Sequence, residues 1–263
     1  EAMAAQLGST EHLDAWASYH LGLQHMYRFT AADNFQATRH FEQAIALDPR
    51  FARAHGGLSF TRFQDAFMRY ARDPGAAALE ARLHAERGLE LDPLDPFVCF
   101  NMGRAFWLVD QLGAAAGWLD RATALNPNYA QGYYSRAFTA MLAGDHAISA
   151  EGVSAALRLR PLDPLRCGML GTRSLALTQA GRYSEAADWG DKAAAAPGAH
   201  FLISMIALVA NALSGRDGHA QRWLEDVRGR RPDASAQHFF AAFPIHDSVA
   251  RKQILSALAK FGL

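Results

Sequence analysis

Hydrophobic and small side chains recur along this chain in blocks of about 34 residues, and a proline closes each block. These prolines are Pro49, Pro93, Pro127, Pro161, Pro197 and Pro232, with spacings of 44, 34, 34, 36 and 35 residues. A fixed period of this length is typical of stacked helical units, each of which buries its apolar face against its neighbours. The pattern therefore predicts an all-α array of about six helix pairs.

Small side chains recur at the places where the two helices of a pair would cross, because only small residues let the backbones come close. The first-helix positions are Gly22, Ser59, Gly103, Ala137 and Gly171. The second-helix positions are Ala37, Ala81, Ala115, Ser149, Ala186 and Ala220. Agreement at several positions predicts a repeat more specifically than the prolines do.

The tetrapeptide PLDP occurs twice, at residues 93–96 and 161–164. Its first proline cannot continue the preceding helix, its aspartate can cap the next helix, and its last proline suits the first helical position. Thr30 and Asp33 have the spacing of a capping box at another helix start. Cys99 and Cys167 lie at equivalent places after the two PLDP segments, so we expect small buried core residues and no disulfide.

The second block is about ten residues longer than the 34-residue period. Phe60, Phe63, Phe67 and Tyr70 follow helical spacing in it, so we expect a lengthened first helix that ends at the turn sequence Asp73 to Gly75. If these rings form an exposed apolar patch, they favour self-association into a homodimer.

The end of the chain predicts a final pair of helices. A short helical stretch runs through Phe243, and a second runs from about Asp247 to Phe261. The apolar residues expected on one face of the second helix are Val249, Ile254, Leu255, Leu258 and Phe261. This pair should cap the open end of the array.

Charge and composition narrow the function. Lys plus Arg equals Asp plus Glu at 26 each, so no net field attracts nucleic acid or an anionic membrane. The apolar run at 201–213 is too short to predict a membrane span. No signal-peptide pattern is present, and two cysteines favour a reducing, cytoplasmic location. Because the chain starts at Glu1, we expect it to be part of a longer protein.

The residues give no catalytic constellation. The chain has no HExxH pair, no phosphate-binding glycine loop, no EF-hand loop and no GxSxG turn. His20 and His25 are five residues apart, a poor spacing for shared metal ligation on a helix. The basic cluster Arg228, Arg230 and Arg231 is expected at a helix end. We therefore expect no catalytic residue, no metal and no cofactor.

With these small-residue positions, the 34-residue period resembles the tetratricopeptide repeat family over residues 14–232. The resemblance implies a right-handed α-solenoid of about six helix pairs, with a lead-in at 1–13 and capping helices at 233–263. The implied repeats are 14–49, 50–93, 94–127, 128–161, 162–197 and 198–232.

Two stretches are more distinctive than the general repeat. The segments 29–59 and 243–263 look like the C-terminal tetratricopeptide region of bacterial signalling proteins. In those proteins the region follows a nucleotide cyclase domain, as in adenylate cyclase relatives, or a winged-helix DNA-binding domain. The resemblance implies a regulatory role without catalytic residues in this region.

In this family the first helices line a concave groove, so the resemblance also implies a partner-binding surface. The residues at the corresponding positions are Trp16, Tyr19, His20, Leu23, Arg53, Phe60, Gln64, Phe97, Phe100, Asn101, Arg104, Gln131, Tyr134 and Phe138. Aromatic side chains and Arg suit a peptide or helix with apolar anchors. The alternative for each ring is packing against the adjacent helix. A clamp for a C-terminal carboxylate is not expected, because only Arg53 and Asn101 have suitable chemistry.

The leading hypothesis is a non-catalytic module that binds a protein or peptide partner in this groove. The alternative is a domain that senses a small molecule and controls an attached cyclase or DNA-binding domain through a change in solenoid curvature. No nucleic acid or membrane is expected to bind this chain.

Overall fold

The computed structural model describes the backbone of residues 10–263 and the side chains from residue 13 onward. Over this range the chain forms fourteen α-helices and no strand. The helices are α1 Thr10–Met26, α2 Ala31–Leu47, α3 Ala52–Phe67, α4 Pro74–Leu91, α5 Pro96–Leu108, α6 Leu112–Leu125, α7 Ala130–Leu142, α8 His146–Leu159, α9 Arg166–Gln179, α10 Tyr183–Ala194, α11 Phe201–Leu213, α12 Asp217–Arg230, α13 Ala236–Ala242 and α14 Ser248–Lys260. The first nine residues of the expected lead-in lie outside the described residues.

The chain divides into two compact units, and the boundary lies between Pro127 and Asn128. Unit 1 contains the pairs α1–α2, α3–α4 and α5–α6. Each pair packs on the next, and the first helices α1, α3 and α5 contact one another in order.

Unit 2 contains the pairs α7–α8, α9–α10 and α11–α12, followed by α13 and α14. The first helices α7, α9 and α11 contact one another in order, and α11 also packs against α13 and α14. Contacts between sequence neighbours dominate in both units, which is the packing of an α-solenoid. The predicted all-α solenoid class is confirmed.

The first PLDP segment starts a helix as predicted, and the second differs from the prediction in two respects. Asp95 accepts hydrogen bonds from the backbone N–H groups of Phe97 (2.8 Å) and Val98 (3.1 Å), and Pro96 is the first residue of α5. Asp163 likewise accepts from the N–H of Leu165 (2.8 Å). In this second copy a turn precedes α9, so Pro164 is not the first helical residue as predicted. The aspartate therefore caps α5 in the first copy, whereas in the second copy it holds the turn before α9, which has no side-chain cap.

The helix at Ala31 also starts with the predicted cap. The Thr30 hydroxyl oxygen accepts from the N–H of Asp33 at 3.1 Å. The same hydroxyl donates to Oδ2 of Asp33 at 2.7 Å. The side chain of Asp33 therefore holds the cap residue in place.

Small residues let the helices of a pair approach closely. A Cβ atom added at Gly22 would lie 2.6 Å from the Phe41 ring, and one at Gly103 would lie 2.6 Å from Leu119 Cγ. In the second pair the Ser59 hydroxyl donates to the carbonyl of Ala81 at 2.7 Å.

The crossing residue predicted for the fifth pair was wrong. Ser174, and not Gly171, donates to the carbonyl of Ala186 (2.8 Å), which is the contact that Ser59 makes in the second pair. A Cβ atom added at Gly171 would instead meet Ile203 and Ile206 of α11. Gly171 therefore serves the contact between neighbouring pairs.

The extra residues of the second block are distributed over three places. Compared with α5 and α6, α3 is three residues longer, α4 is four residues longer, and the loop between them accounts for the rest. Tyr70 lies in this loop and not in the predicted helix. Phe60 and Phe63 are fully buried, so these two rings do not contribute to an exposed patch.

The final helix has the predicted extent and a different buried face. Ala250, Ile254, Ala257 and Leu258 are its buried residues. Val249 is 63% exposed and Leu255 is 48% exposed, so these two residues do not belong to the packed face on which they were predicted. The buried face of α14 therefore consists of Ile254 and Leu258 with two alanines beside them.

Over the described residues, the helices are too short or too polar to cross a membrane.

Candidate functional site

The predicted groove residues all lie on first helices, in two sets that belong to different units. Unit 1 holds eleven of them, on α1, α3 and α5, and unit 2 holds Gln131, Tyr134 and Phe138 on α7. Burial divides the residues further, because a side chain inside the packed array is not available to a partner.

An aromatic corner forms where α1 meets the start of α3. The Trp16 ring stacks on His20 with centroids 5.4 Å apart, and it lies 5.1 Å from the Phe51 ring. Tyr19 is buried between Phe41 and Phe51, and burial raises the pKa of its phenol. Trp16 is half-buried and His20 is exposed. Sequence reasoning missed Phe51, an apolar residue in the turn two positions after Pro49.

Arg53 links the second pair of unit 1 to the third. Its Nε donates to Oδ2 of Asp95 at 2.6 Å, and Asp95 is the cap of α5. The Asp95 carboxylate is almost fully buried, whereas the Arg53 side chain is 45% exposed. Arg53 therefore presents part of its guanidinium to solvent from a fixed position.

Most of the other predicted residues of unit 1 are buried. Phe60 and Phe100 have no exposed surface. The Gln64 amide donates to the carbonyl of Met26 at 2.8 Å, and the Asn101 amide donates to the carbonyl of Phe97 at 2.8 Å. These side chains join helix to helix or turn to turn, as the packing alternative predicts.

Arg104 is a buried cation held by aromatic rings. Its guanidinium carbon lies 3.6 Å from the centroid of Phe63 and 4.1 Å from that of Phe60, and the side chain is 5% exposed. Cation–π attraction of this kind strengthens when the charge is removed from water. Arg104 therefore stabilises the junction of α3 and α5.

The predicted residues of unit 2 are also buried. Gln131 faces Asp163 with 3.4 Å between the amide nitrogen and the carboxylate. The Tyr134 hydroxyl lies over Gly168 of α9, and a Cβ atom added at this glycine would clash with it. The Phe138 ring is covered by Phe243, with 6.0 Å between their centroids.

Five of the predicted residues keep solvent access. We call them the unit 1 face: Trp16, His20, Leu23, Arg53 and Phe97. They lie on the three first helices that contact one another in order, α1, α3 and α5.

The histidines and the arginine cluster make structural contacts. The His25 ring lies 2.8 Å from Asp33, and hydrogen bonds from Thr30 and His25 hold the pKa of Asp33 at about 2. Burial, together with the charges of His55 and Arg62, lowers the pKa of His84 to about 4. Among the described side chains, no group of three His, Cys, Asp or Glu is placed to hold a metal ion.

The basic cluster lies at the end of α12, as predicted. Arg228 donates to the carbonyls of Pro232 (2.7 Å) and Gly262 (2.6 Å), and Arg230 donates to the carbonyl of Ala199 (2.7 Å). Arg231 pairs with Asp233 at 2.7 Å. The cluster therefore joins segments of unit 2 to one another.

The sequence matches no family model and no curated protein. The structure is similar to Pseudomonas aeruginosa pilF, with a TM-score of 0.58 and 16% identity over 88% of this chain and 97% of that chain. It is similar to a thermophilic TPR protein of Thermus thermophilus (TM-score 0.55, 17% identity, 76% of this chain and 99% of the other). It is also similar to a tetratricopeptide repeat protein of Parabacteroides merdae (TM-score 0.52, 12% identity, 94% of each chain). These similarities show that the chain has the tetratricopeptide repeat fold.

Proposed function

We propose that this chain is a non-catalytic protein-interaction module that binds a peptide segment or a partner domain on the unit 1 face. The observation that carries the proposal is the combination of two half-buried rings with a partly exposed, fixed guanidinium on neighbouring first helices. Aromatic side chains and Arg dominate binding energy at protein interfaces.

The chemistry of the face indicates what it would bind. The Trp16 and Phe97 rings offer apolar contact area, whereas Arg53 offers donors that suit a carboxylate or a backbone carbonyl. Asp95 fixes the orientation of the guanidinium before a partner arrives, which reduces the entropy lost on binding. A partner segment with an apolar side chain beside an acidic group fits this surface.

The regulatory setting rests on the resemblance of the segments 29–59 and 243–263 to the C-terminal region of bacterial signalling and transcriptional regulators. In this proposal the chain works in the cytoplasm, binds neither nucleic acid nor membrane, and acts on a partner or on an attached domain. A homodimer remains part of the proposal, and native mass spectrometry at high protein concentration distinguishes it from a monomer.

The second candidate is small-molecule sensing, which an open cleft in unit 2 favours. This cleft, of about 410 Å³, is lined by Tyr183, Ser184, Leu213 and Ser214 together with the paired Arg182 and Glu185. A bound mass that survives purification in native mass spectrometry would favour this candidate over the protein-interaction module.

Site-specific photocrosslinking tests the unit 1 face. A photoreactive side chain replaces His20 on α1 in one protein and Gln43 on α2 in the control; both positions are exposed and belong to the same helix pair. We expect discrete crosslinked proteins from position 20 in cell extract and none of them from position 43. Equal crosslinking from both positions, or none from position 20, contradicts the proposal.

A further inference from the structure

The segment 234–245, which we call the C-terminal segment, is packed into unit 2 although it follows the repeat array. Four of its apolar side chains are almost completely buried: Phe239 is 0% exposed, Phe243 and Ile245 are 2% exposed, and Ala242 is 4% exposed. A terminal capping element would cover only the last helix pair, α11–α12. This segment also contacts α7, so capping alone does not explain its position.

Ring contacts show what the C-terminal segment covers. The Phe243 ring lies 6.0 Å from Phe138 of α7 and 5.0 Å from Phe239. The His238 ring meets Phe201, at the start of α11, edge-on at 6.2 Å. Helix α9 packs against both α7 and α11. The segment therefore extends along the first-helix side of unit 2, from the last pair to the first.

The C-terminal segment has the form of a docked ligand. Its helix, α13, has seven residues, and no side chain caps its start. Phe239 lies in the helix and Phe243 follows directly after it, four residues later, and the two rings are in contact with each other. The polar contacts of His238, at 3.0 Å to Ser235 and 3.3 Å to Arg231, lie at the beginning of the segment. The two rings of Phe239 and Phe243 are among the most deeply buried side chains of the segment.

The following helix contacts this segment through Arg251 and Phe240, and it also has anchors outside the segment. Lys260 of α14 pairs with Asp217 at 2.6 Å, and the Tyr183 hydroxyl donates to Gln253 at 2.8 Å. Arg228 donates to the carbonyl of Gly262 at 2.6 Å. These contacts would keep α14 attached to α10 and α12 if α13 left its place.

We propose that the first-helix side of unit 2 is a docking site for a short helix that carries aromatic side chains at positions i and i+4. The C-terminal segment occupies this site as an intramolecular ligand, and a partner with the same two rings binds by displacing it. The inference rests on the proposed function of a protein-interaction module and assigns a second site, with a defined partner chemistry, in the other unit.

Tethering sets the affinity that such a partner needs. A segment attached to its own site by a short connection has an effective concentration on the order of millimolar. An external helix binds only those sites that the C-terminal segment has left. Its apparent Kd for the wild-type chain is therefore the intrinsic Kd divided by the fraction of open sites. Weakening the internal contact should raise the affinity for the same external helix.

A labelled synthetic peptide with the sequence of residues 234–247 tests the proposal by fluorescence anisotropy. It is titrated with the wild-type chain, with Phe243→Ala, and with the double variant Phe138→Ala/Phe243→Ala. We expect the Kd of Phe243→Ala to be at least about tenfold lower than that of the wild type. The double variant should lose this gain, because Phe138 is the receptor for the ring.

Two results would overturn the proposal. One is equal affinity of the wild type and Phe243→Ala for the peptide. The other is equal binding of a control peptide in which both Phe239 and Phe243 are replaced by alanine, because the rings would then not carry recognition. A cooperative urea transition checks that each variant is folded.

If Phe243→Ala does not fold, the wild-type chain decides the question. Excess unlabelled peptide is added to isotope-labelled protein, and amide exchange is followed by NMR. We expect faster exchange in α13 and unchanged exchange in α7; unchanged exchange in α13 up to millimolar peptide contradicts displacement. The crosslinking at position 20 is independent of this result, so the two proposals can fail separately.

Discussion

Gly103 shows how little space separates the two helices of a pair. An added Cβ atom would lie 2.6 Å from Leu119 Cγ and 3.1 Å from the carbonyl oxygen of Ala115, and the second of these atoms belongs to the backbone. Gly117, on the second helix of the same pair, has no atom within 4 Å of the corresponding position. Packing therefore requires a glycine at position 103, whereas nothing in the packing requires one at position 117.

Alanine at these two positions should change stability in opposite directions. Gly103→Ala overpacks the crossing of α5 and α6, which costs about 1 to 3 kcal/mol of unfolding free energy. Gly117→Ala restricts only the exposed helix backbone and should add about 0.5 to 1 kcal/mol. Urea unfolding of the two variants and the wild type measures both effects. A neutral Gly103→Ala would show that the crossing can widen without loss.

At the scale of the helix, Asp95 combines two roles that can be separated. Its carboxylate caps α5 and also pairs with Arg53, which joins this helix start to α3. Asp73 at the start of α4 caps through the same kind of bonds, to Gly75 and Ala76, and its surroundings are exposed. The pair provides a test with a matched control.

Asp95→Ala should cost about 1 to 2 kcal/mol for the lost cap and about 0.2 to 1 kcal/mol for the half-exposed ion pair with Arg53. Asp95→Asn keeps an acceptor for the N–H groups and should cost only the smaller part. Asp73→Ala should show the loss of a cap alone. Chemical denaturation of the three variants measures these differences. If Asn is as harmful as Ala at position 95, the ion pair and not the cap dominates.

The local features of the helices could be predicted from the sequence, because caps and small crossing residues depend on neighbours within one period. The contact between Phe138 and Phe243 could not, since it joins positions more than a hundred residues apart. Ser174 was missed because both it and Gly171 are small and the period allows either alignment. On α14, apolar spacing predicted a face, but packing against α11 selected the alanine side of it.

For the whole molecule, histidines with lowered pKa values occur in both units. Burial lowers the pKa of His84 in unit 1 and of His200 in unit 2 to about 4. The unfolded chain binds protons at these sites near pH 6.5, whereas the folded chain remains neutral there. Above pH 6.5 these histidines should therefore not reduce the free energy of unfolding, and this free energy should fall as the pH decreases from 6.5 toward 4.

Replacement of either histidine should reduce this acid sensitivity. A fully shifted histidine contributes about 1.4 kcal/mol per pH unit, and for the partly exposed His84 we expect about 0.5 to 1 kcal/mol because solvent screens the charge. Urea unfolding at pH 7.5 and 5.5 compares the wild type with His84→Gln and His200→Gln. Equal losses of stability in all three proteins would show that other groups control the acid response.

The two cysteines give the molecule a built-in reporter in each unit. Cys99 and Cys167 are free, buried thiols, and burial raises the pKa of Cys167 to about 11. A thiol in this state reacts with an alkylating reagent only when its surroundings open, since the reactive thiolate needs water. The labelling rate of each cysteine therefore measures the opening of its own unit, in the unmodified chain and without any introduced probe.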